Sequence, residues 1–361
     1  MKLLIAIPTW NRAEYLDKAI HAISVARAHA PGCQVELFIS DNCSTDPTQE
    51  VVTRWQKAEP WIHYRRWATH APMWRDILNR VLKGSDLEFD YLWLHGDDDW
   101  ISDPTAFAQL GEALEASHSD PPAIVHCCQT RRALIGDTRL IAGNTEDLCN
   151  TYGWHDLLGW MSSLVMPRDT VDRMMASPQW DSKTPSAFSH SEALLEAGYG
   201  RTMLLITAGL IDPQDEAQTP ECEERWVQGG GAAAYWFIPH GLLSLKQRGI
   251  LTTPLALGFF RYHTYSIWDR FAVNLMSLAS DSTTSSEELE TKLRALRFFG
   301  DLLGYGEDRK LYESWCDAFQ DDVRDVHRII RVIHRRMVQS DRPSYAFSLL
   351  PPPSPSGVGI P

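Results

Sequence analysis

Three consecutive carboxylates, Asp97-Asp98-Asp99, follow the apolar run Tyr91-Leu92-Trp93-Leu94 across His95-Gly96. Like charges packed this closely repel, so the arrangement is unfavourable unless a cation or hydrogen-bond donors gather them. Asp oxygens are hard ligands suited to Mg2+ or Mn2+, ions that commonly complete their coordination with substrate phosphates. The alternative is that one Asp caps the next helix while the others are solvated. Ser102-Asp103-Pro104 offers a separate helix start just downstream, so capping need not consume the triplet. Two further polar clusters precede it, Pro8-Thr9-Trp10-Asn11-Arg12 and Asp41-Asn42-Cys43-Ser44-Thr45-Asp46.

The elements before these clusters must place them. Leu3–Ile7, Val35–Ser40, Ile62–Arg66 and Tyr91–Leu94 read as strands; Ala13–His29, Thr48–Ala58 and Pro72–Leu82 read as helices. That alternation predicts an α/β fold with a parallel sheet and crossover helices. Ligands of such sheets bind beyond the carboxyl ends of the strands, where all three polar clusters fall, so one crevice can use them together. No GxGxxG or GxxxxGK[ST] pattern follows a strand, which disfavours ordinary dinucleotide and P-loop sites.

Beyond residue 120 the pattern is less regular. Ala123–Cys128 suits a strand, Trp154–Met166 is apolar and Trp-rich, and Ser189–Leu195 suits a helix closed by Gly198 and followed by a strand over Thr202–Thr207. Gly229-Gly230-Gly231 reads as a flexible loop, and from about Leu255 the pattern is helical. There, Leu289, Leu293, Leu296, Phe299 and Leu303 form one apolar stripe after a capping box at Ser285-Ser286-Glu287-Glu288; Leu311, Trp315, Phe319, Val323, Val326, Ile330, Ile333 and Met337 form another. Pro343–Pro361 reads as a disordered tail. The expected organisation is an α/β domain over 1–250, with the three polar clusters in 1–105 and the less regular pattern in 106–250, a helical region over 251–340 and a tail over 341–361.

At this point three blocks, Ile5-Ala6-Ile7-Pro8-Thr9-Trp10-Asn11-Arg12, Ile39-Ser40-Asp41-Asn42-Cys43-Ser44-Thr45-Asp46 and Gly96-Asp97-Asp98-Asp99, resemble in content, order and spacing the family 2 glycosyltransferases of GT-A fold. The resemblance covers about the first hundred residues and fades beyond roughly 210. It implies a Rossmann-like, mostly parallel sheet and an inverting transfer of a hexose-type sugar from a nucleoside-diphosphate sugar, UDP first among them. The acceptor would be a saccharide or lipid-linked, with Mn2+ or Mg2+ assisting. Residue by residue, it gives Asp41 to the base or ribose, Pro8 and Thr9 to the base pocket through their backbone, and Arg12 to a donor phosphate. Asp97 goes to the ribose and Asp99 to the metal, with Asp98 shared or structural. The base that takes the acceptor proton matches the region of His190 and Glu192, which lacks the family's common Glu-Asp pair; Asp181 is a weaker third choice. His263 is the candidate for a late metal-ligating histidine. Trp100, Trp154, Trp160, Trp226 and Trp236 offer aromatic faces on which sugars stack, although most of 14 Trp must be core or interface.

A formal charge of -13 disfavours a nucleic-acid surface. Seven cysteines without zinc-type spacing read as buried thiols of a reducing compartment. Met1–Ile7 is too short for a signal peptide and meets Pro8, Asn11 and Arg12, and no apolar run reaches the roughly twenty residues of a membrane span, so the expected location is cytoplasmic. Arg324, Arg328, Arg331, Arg335 and Arg336 recur at helical spacing opposite an apolar stripe. They leave three readings open: a solvated face, peripheral contact with anionic headgroups at the inner membrane face, or a homo-oligomer contact through the stripes. Two other functions remain as alternatives, a degenerate domain acting as a binding or scaffold module and a sugar-phosphate nucleotidyltransferase. The second would want a Gly-rich, basic loop after the first strand, where Pro8-Thr9-Trp10-Asn11-Arg12 stands.

Overall fold

The computed structural model describes residues 1–71, 74–130, 140–180, 188–214, 244–245 and 247–252. The readings placed on Asp181, Trp226, Trp236, Gly229-Gly230-Gly231, His263, the helical stripes, the arginine face and the tail lie outside these residues. The chain runs β1 (Lys2–Thr9), α1 (Ala13–Ala28), β2 (Gln34–Asp41), α2 (Thr48–Ala58), β3 (Ile62–Arg66), α3 (Trp74–Lys83), β4 (Tyr91–Leu94), β5 (Asp99–Ile101) and α4 (Ala106–Ala116). It continues as β6 (Ile124–Gln129), β7 (Leu140–Asn144), α5 (Thr145–Tyr152), α6 (Trp154–Leu158), a 3-10 turn over Met161–Ser163, β8 (Leu164–Pro167), α7 (Arg168–Ala176), α8 (Ser189–Gly198) and β9 (Thr202–Pro213).

These strands form one sheet in the order β3-β2-β1-β4-β8-β6-β9-β5, with β7 also paired to β9, on the edge opposite β6. The block β3-β2-β1-β4 is wholly parallel, and β6 pairs with β9 in parallel. β8 runs antiparallel to both β4 and β6, and β9 runs antiparallel to β5 and β7, so the mostly parallel sheet becomes mixed beyond β4. Side chains alternate across each strand, and both faces are covered. Leu3, Ile5, Ile7, Val35, Leu37 and Ile39 pack under α1, α2 and α4, through Leu16, Ile20, Val52, Phe107 and Leu110. Leu4, Ala6, Phe38, Leu92 and Leu94 face α3 and α5 to α8, through Leu78, Leu148, Trp154, Met174 and Leu194.

Two helix starts explain part of the second polar cluster. No side chain of Arg12 caps α1; Asp46, from the loop after β2, accepts the Ala13 N–H at 2.9 Å instead. The same carboxylate accepts Thr48 N–H at 3.1 Å and Thr48 Oγ1–H at 2.5 Å at the start of α2. Asp46 therefore satisfies orphan donors of two helices. Asp103 does comparable work before α4, accepting from Thr105 N and Oγ1, each at 2.8 Å, so the Asp triplet caps no helix there.

The structure departs from the sequence reading in three places. Asp99-Trp100-Ile101 is not loop but a short strand, completed only by pairing with Ile211–Pro213 a hundred residues away. β9 extends well past Thr207, through Ala208-Gly209, because Gly209 meets the Thr130 backbone where a Cβ would lie 2.7 Å from Thr130 Cα. Gly198 does not close α8 by a left-handed turn; it is the last helical residue, small because a Cβ would meet Ile124 Cδ1 at 2.9 Å, and the positive φ falls at Gly200.

Candidate functional site

β1 lies between β2 and β4 in parallel register, with Thr9 opposite Asp41 and Ala6 opposite Leu94. The His95 N–H continues the β4 ladder to Ala6 O at 3.0 Å. Three strand ends therefore deliver Thr9, Asp41 and the Asp triplet to one edge, as the spacing of the clusters predicts. Thr9 Oγ1 donates to Asp97 Oδ2 at 2.7 Å. Arg12 Nη1 donates to Asp97 Oδ1 at 3.2 Å and to Asp98 Oδ2 at 2.5 Å. In this arrangement Arg12, expected at a donor phosphate, is the cation that gathers two of the three carboxylates.

Asp99 is held differently. Ser162 Oγ donates to its Oδ2 and also accepts the Gly96 N–H at 2.8 Å. Burial pushes the Asp99 carboxyl up to about 8, with the negative charges of Asp98 and Asp97 adding to the shift and the Ser162 hydrogen bond opposing it. Burial likewise pushes Asp97 up to about 6, against the pull of Arg12. A Cβ on Gly96 would lie 2.8 Å from Asp99 Oδ2 and 3.0 Å from Asp98 Oδ1, so a larger residue here would displace those carboxylates.

Does this donor set suit a divalent cation? Asp98 and Asp99 offer hard oxygens, and Asp99 is crowded by like charge that one guanidinium leaves only partly compensated. A divalent ion would relieve that crowding. Among the described residues no three ligating side chains are already grouped, so substrate oxygens or water would complete the coordination. The residues would suit an open Mg2+ or Mn2+ site better than a closed protein cage.

At the other end of the edge Asp41 is fully buried, its Oδ1 accepting Ser44 N–H at 2.7 Å and its Oδ2 accepting Tyr64 O–H at 2.6 Å. Arg66 lies 3.9 Å from that carboxylate and donates to Ser44 O at 2.7 Å. The Tyr64 hydroxyl is driven far up, first by burial and then by the Asp41 carboxylate, and stays protonated as the donor. Pro8 is buried in register with Ser40, and the Thr9 carbonyl is taken by Asn42 N–H at 2.8 Å. Thr9 thus meets the acidic turn through its hydroxyl. The Asn42 side chain ties down the loop after β3, donating to Ala71 O at 2.9 Å and accepting Ala71 N–H at 2.8 Å.

Asn11 and Cys43 take positive φ, 54° and 72°, at the two loops that face one another. Non-glycine residues adopt this region at some cost and need support. Here it comes from cross-loop bonds, Thr45 N–H to Asn11 Oδ1 at 2.7 Å and Asn11 N–H to Ser44 Oγ at 2.9 Å. Trp10 and His70 rings pair beside them, centroids 4.4 Å apart.

His190 and Glu192 both lie in the first turn of α8 and are buried. His190 Nδ1 accepts Trp74 Nε1–H at 3.3 Å, which leaves Nε2 to donate to Gly159 O at 3.1 Å. Burial lowers this imidazole to about 4, so it is neutral at physiological pH. Ser191 Oγ donates to Leu158 O at 2.9 Å. The segment 158–163 therefore touches α8 at one end and the Asp triplet at the other. Of the aromatic walls, Trp154 is in the core rather than at a surface, while Trp100 and Trp160 are partly buried.

Ser162, Tyr64 and Arg66 are site residues that the sequence did not single out. A signal existed for Arg66, which ends a strand parallel to β2 and pairs with Asp41. None existed for Ser162, a serine in an apolar stretch far from the triplet in sequence.

A parallel sheet edge carrying a buried Asp, an arginine and a hydrogen-bonded carboxylate turn is the arrangement expected of a GT-A fold. The sequence profile of the family described as "Glycosyl transferase family 2" matches residues 4–139, the segment that carries all three polar clusters. The abequosyltransferase RfbV of Salmonella typhimurium (strain LT2) is 30% identical over 132 residues, 36% of this chain and 36% of that protein, so the match spans about a third of the relative's length. Among solved structures, S. aureus TarS 1-349 superposes with a TM-score of 0.59 at 15% identity, covering 95% of this chain and 93% of that one. The same protein in complex with UDP gives 0.60 at 14%. The mannosyltransferase PcManGT from Pyrobaculum calidifontis, solved with GDP-Man and Mn2+, gives 0.50 at 14%, covering 94% and 88%. At these identities the structural likeness establishes the fold. Among the described residues no helix is long and apolar enough to cross a membrane.

Proposed function

We propose that this glycosyltransferase moves a hexose-type sugar, with inversion, from a UDP-sugar to a saccharide or lipid-linked acceptor, assisted by Mn2+ or Mg2+. One observation carries the reading: the acidic turn Asp97–Asp99 sits at the carboxyl edge of β4, facing Thr9 and Arg12 in line with buried Asp41. Relatives solved with UDP or with GDP-Man and Mn2+ on the same fold support a nucleotide-sugar donor and a divalent ion.

In this reading Asp41 and its Tyr64-Arg66 frame fix the nucleoside end, and Asp97 takes the ribose. Asp98 and Asp99 would hold the cation, which would supply neutralisation of the charge developing on the diphosphate leaving group. Arg12, bonded to Asp97 and Asp98 at the same edge, is the cationic side chain nearest the acidic turn and would face the donor phosphates. Glu192 takes the proton from the acceptor hydroxyl as that oxygen attacks C1 of the sugar. The neutral His190, with both ring nitrogens engaged, shapes the first turn of α8 around it.

The test is turnover of a panel of UDP-, GDP- and dTDP-sugars by the full chain with Mn2+, first as hydrolysis without acceptor. We expect turnover with a UDP-sugar, loss of it in Asp99→Ala, and a fall in transferase kcat of about 100- to 10,000-fold in Glu192→Gln, the range general base catalysis supplies. No turnover of any donor would favour the scaffold alternative. Turnover untouched by Asp99→Ala or by EDTA would remove the metal from the mechanism.

A further inference from the structure

One hydroxyl closes the acidic turn. Ser162 Oγ accepts the N–H of Gly96, the residue before the triplet, and donates to Asp99 Oδ2 at its end. With Asp99 ionised, as a metal ligand must be, its carboxylate can only accept, so Gly96 N–H donates to Ser162 Oγ and Ser162 O–H donates to Asp99. Ser162 is itself immobilised. It is 1% exposed, its carbonyl accepts Trp93 Nε1–H at 2.7 Å from within β4, and the next residue, Ser163, turns back through its N–H to Trp160 O at 3.2 Å. Trp93 in turn packs edge-on against Phe107 of α4, ring centroids 5.9 Å apart. The support of Asp99 thus runs from the centre of the sheet, through a residue 63 positions away in sequence, to one carboxylate oxygen.

We propose that Ser162 is the positioning residue that orients the Asp99 carboxylate toward a divalent cation, an inference that rests on the reading of Asp99 as a metal ligand. With Oδ2 fixed by the serine, the carboxylate cannot rotate freely about its Cβ–Cγ bond, and the remaining oxygen is presented in one direction. Partners behind a ligand of this kind fix its orientation, and their removal typically weakens metal binding about 10- to 100-fold. The backbone half of the arrangement matters equally, since the Gly96 bond keeps the turn closed around the same oxygen.

The experiment measures Mn2+ binding by the full chain in the presence of UDP, from the EPR signal of free Mn2+ and by calorimetry, for wild type, Ser162→Ala and Ser162→Thr. UDP binding in EDTA and the thermal midpoint are followed in parallel. We expect Ser162→Ala to weaken Mn2+ about 10- to 100-fold while UDP binding in EDTA is unchanged, and Ser162→Thr, which keeps the hydroxyl, to restore most of the affinity. Mn2+ binding in Ser162→Ala equal to wild type overturns the proposal. So does an equal loss in Ser162→Thr, which would make the effect one of packing, or a loss of metal-free UDP binding, which would mean a general collapse of the turn. Wild type that binds UDP but no Mn2+ overturns the metal reading itself and this inference with it.

Discussion

A carboxyl at position 99 that is pushed up to about 8 gives the metal-free protein a pH dependence with a definite sign. A raised native pKa means that the protonated form is favoured by folding. The stability it contributes is complete below the ordinary carboxylate value near 4 and is lost as pH rises through the native value. Asp97, pushed up to about 6, acts in the same direction. His95 and His190, both lowered to about 4 by burial, act oppositely: theirs is present above about 6.5 and is lost as pH falls through the native value. Replacing Asp99 by Asn removes one contribution and leaves the histidines untouched. In EDTA, Asp99→Asn should melt above wild type at pH 8, with the gap narrowing toward pH 5. Thermal melts at several pH values decide it, and a gap that is constant or widens in acid contradicts the origin assigned here.

At the scale of elements, β3 contributes more than a strand. Its register places Tyr64 and Arg66 behind Asp41, so the buried carboxylate has the Tyr64 hydroxyl as a donor in addition to the Ser44 amide, with the Arg66 charge 3.9 Å away. Tyr64→Phe leaves Asp41 Oδ2 without that donor, a loss of about 1–3 kcal/mol for an unsatisfied buried acceptor. Urea unfolding should show that loss, and calorimetry should show weaker UDP binding with it. Full stability and affinity in the variant would mean that Arg66 or solvent substitutes for the hydroxyl. The segment 158–163 is a second such element. It joins α8, through the Leu158 and Gly159 carbonyls, to the acidic turn, through Ser162, so both depend on one short stretch of chain.

For the molecule as a whole, the sheet separates two apolar cores, and the site hangs from the strands between them. Phe107 belongs to the core beneath α1, α2 and α4, and Leu194 to the opposite one, each fully buried. Truncating either to Ala should cost about 2–5 kcal/mol. Because they share no partners, the double variant should lose the sum to within about 0.5 kcal/mol. Denaturant unfolding of the two single variants and the double tests it; a coupling well above that would mean that the sheet transmits strain from one face to the other.

The sequence by itself determined the elements that local pattern can specify. Thr48–Ala58, Ile62–Arg66 and Tyr91–Leu94 are found with the bounds their periodicity predicts, and the three polar clusters fall at strand ends because each follows an apolar run. From those clusters the resemblance to family 2 glycosyltransferases and the convergence of Thr9, Arg12, Asp41 and Asp97–Asp99 on one sheet edge were legible. What the tertiary structure decided is everything that depends on long-range pairing. β5 exists only because β9 reaches it, Asp46 caps α1 from another loop, and Arg12 is drawn to Asp97 and Asp98 by a crossing of strands that no window of sequence contains. Ser162 is the sharpest case: a serine in an apolar stretch carries no pattern of its own, and its role arises from where β4, β8 and the turn between α6 and β8 bring it. Periodicity records which face of an element is buried, whereas the partner of a buried polar group is set by packing between distant elements.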